Sequence, residues 1–251
     1  MAYKHILQAV RAQRPLVHCI SNIVTANDCA NLVLAVGGSP IMAQYEQEVQ
    51  EISAKAKAVV LNTGTPDEAK FEACRLAGKT ANAAGIPVVL DPVGAGATPW
   101  RLAQIRALLE QVKPTIVHVN AGEAKALLGM GQTGHGVDSP DGEANAMQLA
   151  ARLAEKLDCT VLLSGEEDCV AAGERCETVA GGSALMRQIT GAGCMLSALC
   201  GAFAAVEPDA FVAAEAAAQF WKMCAAQAAA QSAGLGQFHV ALFDRASQAA
   251  E

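Results

Sequence analysis

Pro87-Val88-Val89-Leu90-Asp91-Pro92-Val93-Gly94-Ala95-Gly96-Ala97-Thr98 opens as a short β-favouring run and passes directly into a carboxylate and a glycine turn. An aliphatic run without polar alternation suits a strand buried on both faces, and such strands belong to parallel sheets. Helical character flanks it over residues 68–84 and 100–112. The same order extends outward along the chain. Leu16-Val17-His18-Cys19-Ile20, Ala58-Val59-Val60-Leu61, Thr115-Ile116-Val117-His118-Val119 and Thr160-Val161-Leu162-Leu163 are further strand-like runs, with another helical stretch over 142–157. This alternation predicts an α/β fold with a mostly parallel central sheet and helices on both faces. Residues 168–185 depart from it, with short extended pieces around Gly173 and Gly181-Gly182 that predict a local antiparallel edge. From Ala192 the chain reads as helical almost to its end. There is no internal repeat, and 129–141 reads as a polar loop rather than a linker, so residues 1–251 are expected to form one domain.

Composition narrows the function classes. The 251 residues are 52% hydrophobic and only 4% aromatic, with Ala, Val, Leu and Gly dominant. That supplies a large core of helices packed closely on a sheet and excludes disorder. A net charge of −7 argues against a nucleic-acid partner, although an acidic protein still binds phosphate locally through backbone N–H groups, basic side chains and a divalent metal. The start Met1-Ala2-Tyr3-Lys4-His5-Ile6 has no signal-peptide core, and Glu207, Asp209, Glu215 and Lys222 interrupt the apolar C-terminal region. A soluble, cytoplasmic protein without a membrane span is expected. Nine cysteines, an odd number with no Cys-x-x-Cys pair, suggest neither a disulfide framework nor a zinc ribbon.

In an open α/β sheet, ligands collect beyond the carboxyl ends of the strands, and the chemically suggestive residues fall there. Asp91 ends one strand-like run; Asn120-Ala121-Gly122-Glu123 follows another and delivers an amide and a carboxylate; Ser164-Gly165-Glu166-Glu167-Asp168 follows a third. Downstream of all three, Thr190-Gly191-Ala192-Gly193-Cys194 precedes the apolar run 195–206. Two glycines let that backbone turn tightly and present unpaired N–H groups to an anion, and the helix end they precede favours a thiolate at Cys194. Each junction taken singly also reads as an ordinary cap or turn: Asp91 and Asn120 as caps, Glu123 as a first-turn carboxylate, Ser164-Gly165 as a loop, Cys194 as a small buried residue. Together they offer metal-binding oxygens, a phosphate nest and a candidate base.

The segments Pro15-Leu16-Val17-His18-Cys19-Ile20-Ser21-Asn22, Asp91 to Thr98, Asn120-x-x-Glu123 and Thr190 to Cys194 resemble the hydroxyethylthiazole kinases of thiamine salvage, from about Leu16 to Gly234-Leu235-Gly236-Gln237-Phe238. The resemblance implies a ribokinase-like fold, a homotrimer with active sites between subunits, and phosphorylation of the primary alcohol of 4-methyl-5-(2-hydroxyethyl)thiazole with ATP and Mg²⁺. It implies Cys194 as general base, where many ribokinase-like relatives carry Asp, and Gly191, Ala192 and Gly193 as the anion hole. It also implies Asp91 and Glu123 at Mg²⁺, Asn120 in support of the phosphate region, Ser164 at the ATP phosphates and Met42 against the thiazole ring.

One position departs from the family pattern. Where the family commonly has Arg-Gly-Asn, this chain has His118-Val119-Asn120, so a phosphate-binding Arg is missing. Three readings stay open: lower ATP affinity, compensation by another basic residue such as Arg187, or a His118 that points into the sheet. Other functions also remain to be separated from the first. These are a kinase of another small vitamin alcohol, the nucleotide-dependent dehydratase that repairs hydrated nicotinamide cofactors, a thiol hydrolase pairing His18 with a cysteine, and a non-catalytic nucleotide-binding relative. The first two carry Asp where Cys194 stands, the hydrolase leaves Asp91 and Glu123 unexplained, and the last binds ATP without forming product.

Overall fold

The computed structural model describes residues 3–130 and 142–249, and most of the expected 129–141 loop lies outside them. Eight strands form one sheet: β1 (Leu16–Ile20), β2 (Ser39–Met42), β3 (Ala58–Asn62), β4 (Val88–Asp91), β5 (Ile116–Asn120), β6 (Thr160–Ser164), β7 (Asp168–Ala172) and β8 (Arg175–Val179), in the order β2-β1-β3-β4-β5-β6-β7-β8. The first six in that order are parallel, while β7 and β8 join antiparallel, as the break in pattern after residue 168 predicts. β2 escaped the sequence reading because it is four residues long and contains Pro40. A proline donates nothing to a ladder, and it is tolerated here because β2 is the edge strand.

The helices are α1 (Tyr3–Gln13), α2 (Ala26–Ala35), α3 (Val49–Lys55), α4 (Glu68–Ala83), α5 (Pro99–Leu109), α6 (Ala121–Leu128), α7 (Gly142–Leu157), α8 (Ala192–Ala204), α9 (Ala210–Gln231) and α10 (Leu235–Gln248). Local chemistry sets several of their starts. Asp67 accepts from Lys70 N at α4, Thr98 accepts from Arg101 N with Pro99 at the first position of α5, and Asp209 accepts from Phe211 and Val212 N at α9. The sheet divides the core into two layers: α1, α2, α8, α9 and α10 pack on one face, α3 to α7 on the other. α8 is buried all round from Met195 to Ala204, and Gly201 lets it lie directly on β3, since a Cβ there would sit 2.4 Å from Val60 Cγ2. No described helix is long and apolar enough to cross a membrane.

This topology decides where a ligand can go. The strand order reverses at β1, with β2 on one side and β3 on the other, so the crevice beyond their carboxyl ends is a topological switch point. The ends of β1, β3, β4, β5 and β6 all open on that one edge.

Candidate active site

Two amides organise the crevice. Asn22 lies just beyond β1, and its Oδ1 accepts from the backbone N–H groups of Val24 and Thr25, both at 3.1 Å. Asn62 ends β3, and its Oδ1 accepts from Gly64 N at 2.9 Å and from Asn22 Nδ2 at 3.1 Å. With the oxygens so committed, the nitrogens must face the other way. Asn22 Nδ2 donates to Cys194 Sγ at 3.3 Å; Asn62 Nδ2 donates to Cys194 Sγ at 3.1 Å and to Asp91 Oδ2 at 2.7 Å. The thiol at the third residue of α8 thereby receives two amide N–H groups, while its own proton has the Asp91 carboxylate as an acceptor.

Asp91 ends β4 and is not a helix cap; its Oδ2 also accepts from Ser197 Oγ at 2.8 Å, one turn into α8. Burial, with the Glu123 carboxylate second, pushes Asp91 up to about 7 against the pull of these bonds. Burial also raises Cys194, with Asp91 adding to it, to about 11. The thiolate favoured by the helix end is therefore not the resting state: removal from water and the neighbouring carboxylate outweigh the helix N-terminus and the amide donors.

Glu123 and Asn120 form a capping box at α6. Asn120 Oδ1 accepts from Glu123 N, Glu123 Oε2 accepts from Asn120 N at 3.0 Å, and Glu123 Oε1 reaches across to accept from Gly94 N at 2.8 Å. The ordinary cap reading holds for both residues, yet Glu123 is also close enough to Asp91 to raise it. No group of three or more metal-ligating side chains occurs among the described residues. A pair of mutually repelling carboxylates is nonetheless a donor set that suits Mg²⁺, which keeps several waters and takes one or two carboxylates together with substrate phosphates.

Gly191 caps α8 in the left-handed region (φ +85), and a Cβ there would meet Thr25 Cγ2 at 2.6 Å, so only glycine fits this turn. Ala192 and Gly193 follow it, and with Asn120, Ser164, Trp221 and Lys222 they line a cavity of about 490 Å³. Ser164 Oγ contacts Val119 O at 3.4 Å, and Trp221 Nε1 donates to Ala192 O at 3.1 Å, which ties α9 to the turn.

Three further side chains singled out from the sequence lie apart from the Cys194 sulfur. His118 points beneath α8, where Nδ1 meets Ser197 Oγ at 2.7 Å; Nε2 is buried without a partner among the described residues, and burial lowers the ring to about 4. It is thus a neutral side chain directed away from solvent. Met42 is the last residue of edge strand β2, 38% exposed, on the correct edge of the sheet but outside the Cys194 cluster and the cavity lining. His18 meets Ser53 Oγ at 2.9 Å and Ala43 O at 2.8 Å, which commits both ring nitrogens and leaves no thiol–imidazole pair. Asn62 and Ser197 escaped the sequence reading. The signal for Asn62 was its place at a strand end, and for Ser197 a lone hydroxyl inside an apolar helix.

The Hydroxyethylthiazole kinase family model matches residues 7–251. The chain belongs to that family. A hydroxyethylthiazole kinase of Listeria monocytogenes is 47% identical over 205 residues, covering 82% of this chain and 76% of the relative. The solved structure of the hydroxyethylthiazole kinase protein of Pyrococcus horikoshii superposes with a TM-score of 0.91 at 38% identity, over 98% of this chain and 92% of that one. A ribokinase-like superfamily protein of Enterococcus faecalis has the same fold at 14% identity, with a TM-score of 0.70 over 98% of this chain and 95% of its own. The expected ribokinase-like architecture is what the chain adopts.

Proposed function

We propose that this chain is a single-domain, cytoplasmic kinase of thiamine salvage that transfers the terminal phosphoryl group of ATP to the hydroxyl of 4-methyl-5-(2-hydroxyethyl)thiazole. The observation that carries it is the convergence of Asn22, Asn62 and Asp91 on Cys194 at the mouth of a glycine turn. Family membership supports the substrate. The cavity bounded by Gly193, Asn120 and Ser164 supports a nucleotide there, with the helix-end N–H groups of Gly191 to Gly193 toward the moving phosphoryl group.

Asp91 and Glu123 would hold Mg²⁺, which when bound supplies positive charge against the phosphates. The chain's own groups do the rest. Asn62 and Asn22 aim their N–H groups at Cys194 Sγ and favour its charged form, while Asp91 opposes it. Neutralising Asp91 therefore lowers the thiol's pKa and raises the fraction present as thiolate, the form that can take up a proton. An alkyl alcohol is too weakly acidic to ionise beforehand, so the proton reaches sulfur only as the phosphoryl group departs, and alignment with charge stabilisation supplies most of the rate. Met42 would contact the thiazole ring, at a site between the subunits of a homotrimer. Support for that assembly comes from exposed apolar side chains at the β1–β2 end of the molecule: Ile23, Val24, Leu34, Tyr45 and Val240.

Thiazole-dependent ADP formation in Mg²⁺, with the phosphorylated alcohol identified by mass spectrometry, tests this. ATP binding without thiazole-dependent turnover would instead mark a non-catalytic relative.

A further inference from the structure

A pocket that takes a triphosphate needs positive charge, and the position expected to supply it holds a buried, neutral His118. Two cations line the 490 Å³ cavity. Arg187 has a side chain 67% exposed and approaches Glu166 only to 3.9 Å, a loose surface pair. Lys222 is different. It lies within α9 with its side chain 9% exposed, and its Nζ donates to Glu166 O at 2.6 Å and stands 3.3 Å from Asp168 Oδ1. The aliphatic stem packs against Gly182, whose Cβ, were there one, would lie 3.3 Å from Lys222 Cγ.

An ammonium has three protons, and the described residues account for two of them. Both acceptors and Lys222 itself border the cavity. Glu166 is two residues beyond Ser164, at most about 7 Å along an extended chain, which is within the length of a triphosphate. Burying a lysine is costly without a partner, and Asp168 relieves that cost. The pair alone would only stitch the β6–β7 turn to α9, but a lysine placed on the cavity wall with one proton to spare does more. The geometry points to Lys222 as the cation that binds the phosphate chain of the nucleotide in this protein, in place of the Arg absent at 118. This rests on the nucleotide reading given above.

The test is ATP affinity, measured as KM and as ADP binding by calorimetry, in the wild type, Lys222→Met, Lys222→Arg, Asp168→Asn and the double variant Lys222→Met/Asp168→Asn. Lys222→Met should weaken ATP about 10- to 100-fold with the KM for the thiazole alcohol unmoved, and Lys222→Arg should recover most of the loss. Asp168→Asn should tighten ATP, because it frees the ammonium from its counter-charge. A purely structural pair predicts otherwise: both single variants lose thermal stability and neither changes ATP affinity. If Lys222→Met does not fold, the double variant carries the same test, since it removes the cation without stranding a buried carboxylate. Wild-type ATP affinity in a folded Lys222→Met or double variant would overturn the inference alone. A wild type that takes no ATP would overturn the nucleotide reading with it.

Discussion

The Asn62 side chain donates to the Asp91 carboxylate at 2.7 Å and so links the side chains of the last paired residues of two neighbouring strands. The same nitrogen reaches the Cys194 sulfur. Asn62→Ala should therefore lower kcat by about 10-fold or more, through loss of alignment, and cost about 1–3 kcal/mol of stability for buried groups left unpaired. Steady-state kinetics with urea unfolding checks both, and a variant that loses stability alone would remove Asn62 from the chemistry.

Cys194→Ala is expected to lose on the order of 10²-fold in kcat while still binding nucleotide, the usual worth of a general base. Cys194→Asp should keep substantial activity, because a carboxylate accepts the same proton. Full activity in the alanine variant would end the assignment.

The thiol also makes a prediction in the metal-free protein. Held at about 11 by burial and Asp91, Cys194 should react with iodoacetamide more slowly than a free thiol at pH 8 and accelerate as the pH rises toward 10. Peptide mapping by mass spectrometry follows it directly. Alkylation at the free-thiol rate at pH 8 would contradict the environment described for this sulfur.

Asp91 links the site to stability. Its folded pKa is raised to about 7, so the unfolded chain gives up this proton first, and the stabilisation present below about 4 is lost as pH rises through 7. Asp91→Asn should be inactive yet more stable than the wild type at pH 8 without metal, by up to about 4 kcal/mol, with the difference fading toward pH 4. His118 acts in the opposite sense: its folded pKa is lowered to about 4, so its contribution is present above pH 6.5 and lost on acidification. The wild-type minus variant difference isolates Asp91.

Glu123→Gln keeps one acceptor oxygen where two are now used, by Asn120 N and Gly94 N. Activity should fall about 10²-fold, and the Mg²⁺ needed for half-maximal rate should rise. An unchanged Mg²⁺ titration would take Glu123 out of the metal's reach.

The trimer carries its own test. If sites lie between subunits, specific activity should fall on dilution, and Ile23→Asp, at an apolar side chain 79% exposed, should promote dissociation. Light scattering that found a fully active monomer would contradict the assembly.

Much of this was legible because strands and their ends announce themselves. Short β-favouring runs marked β1, β3, β4, β5 and β6 to within a residue or two, and the polar residues at or just past the ends of those runs included Asp91, Asn120, Glu123 and Ser164. β2 was hidden by Pro40, whose tolerance depends on being at the sheet edge, a tertiary fact. Ser197 and Lys222 were hidden for another reason: Ser197 is a lone hydroxyl in an apolar helix and Lys222 reads as one of several polar residues of α9, while their partners lie 106 residues away for Ser197 and 56 for Lys222. The direction of His118 follows from strand alternation once α8 is known to cover that face, and from nothing local.

Ser197 is where this arrangement has mechanical meaning. One buried hydroxyl, bonded to Asp91 on β4 and to His118 on β5, pins the second turn of α8 to the sheet floor. The span from the carboxylate to the helix-end N–H groups is then a gauge cut to a single length. The distance across which the phosphoryl group would travel is thus set by the reach of one serine side chain.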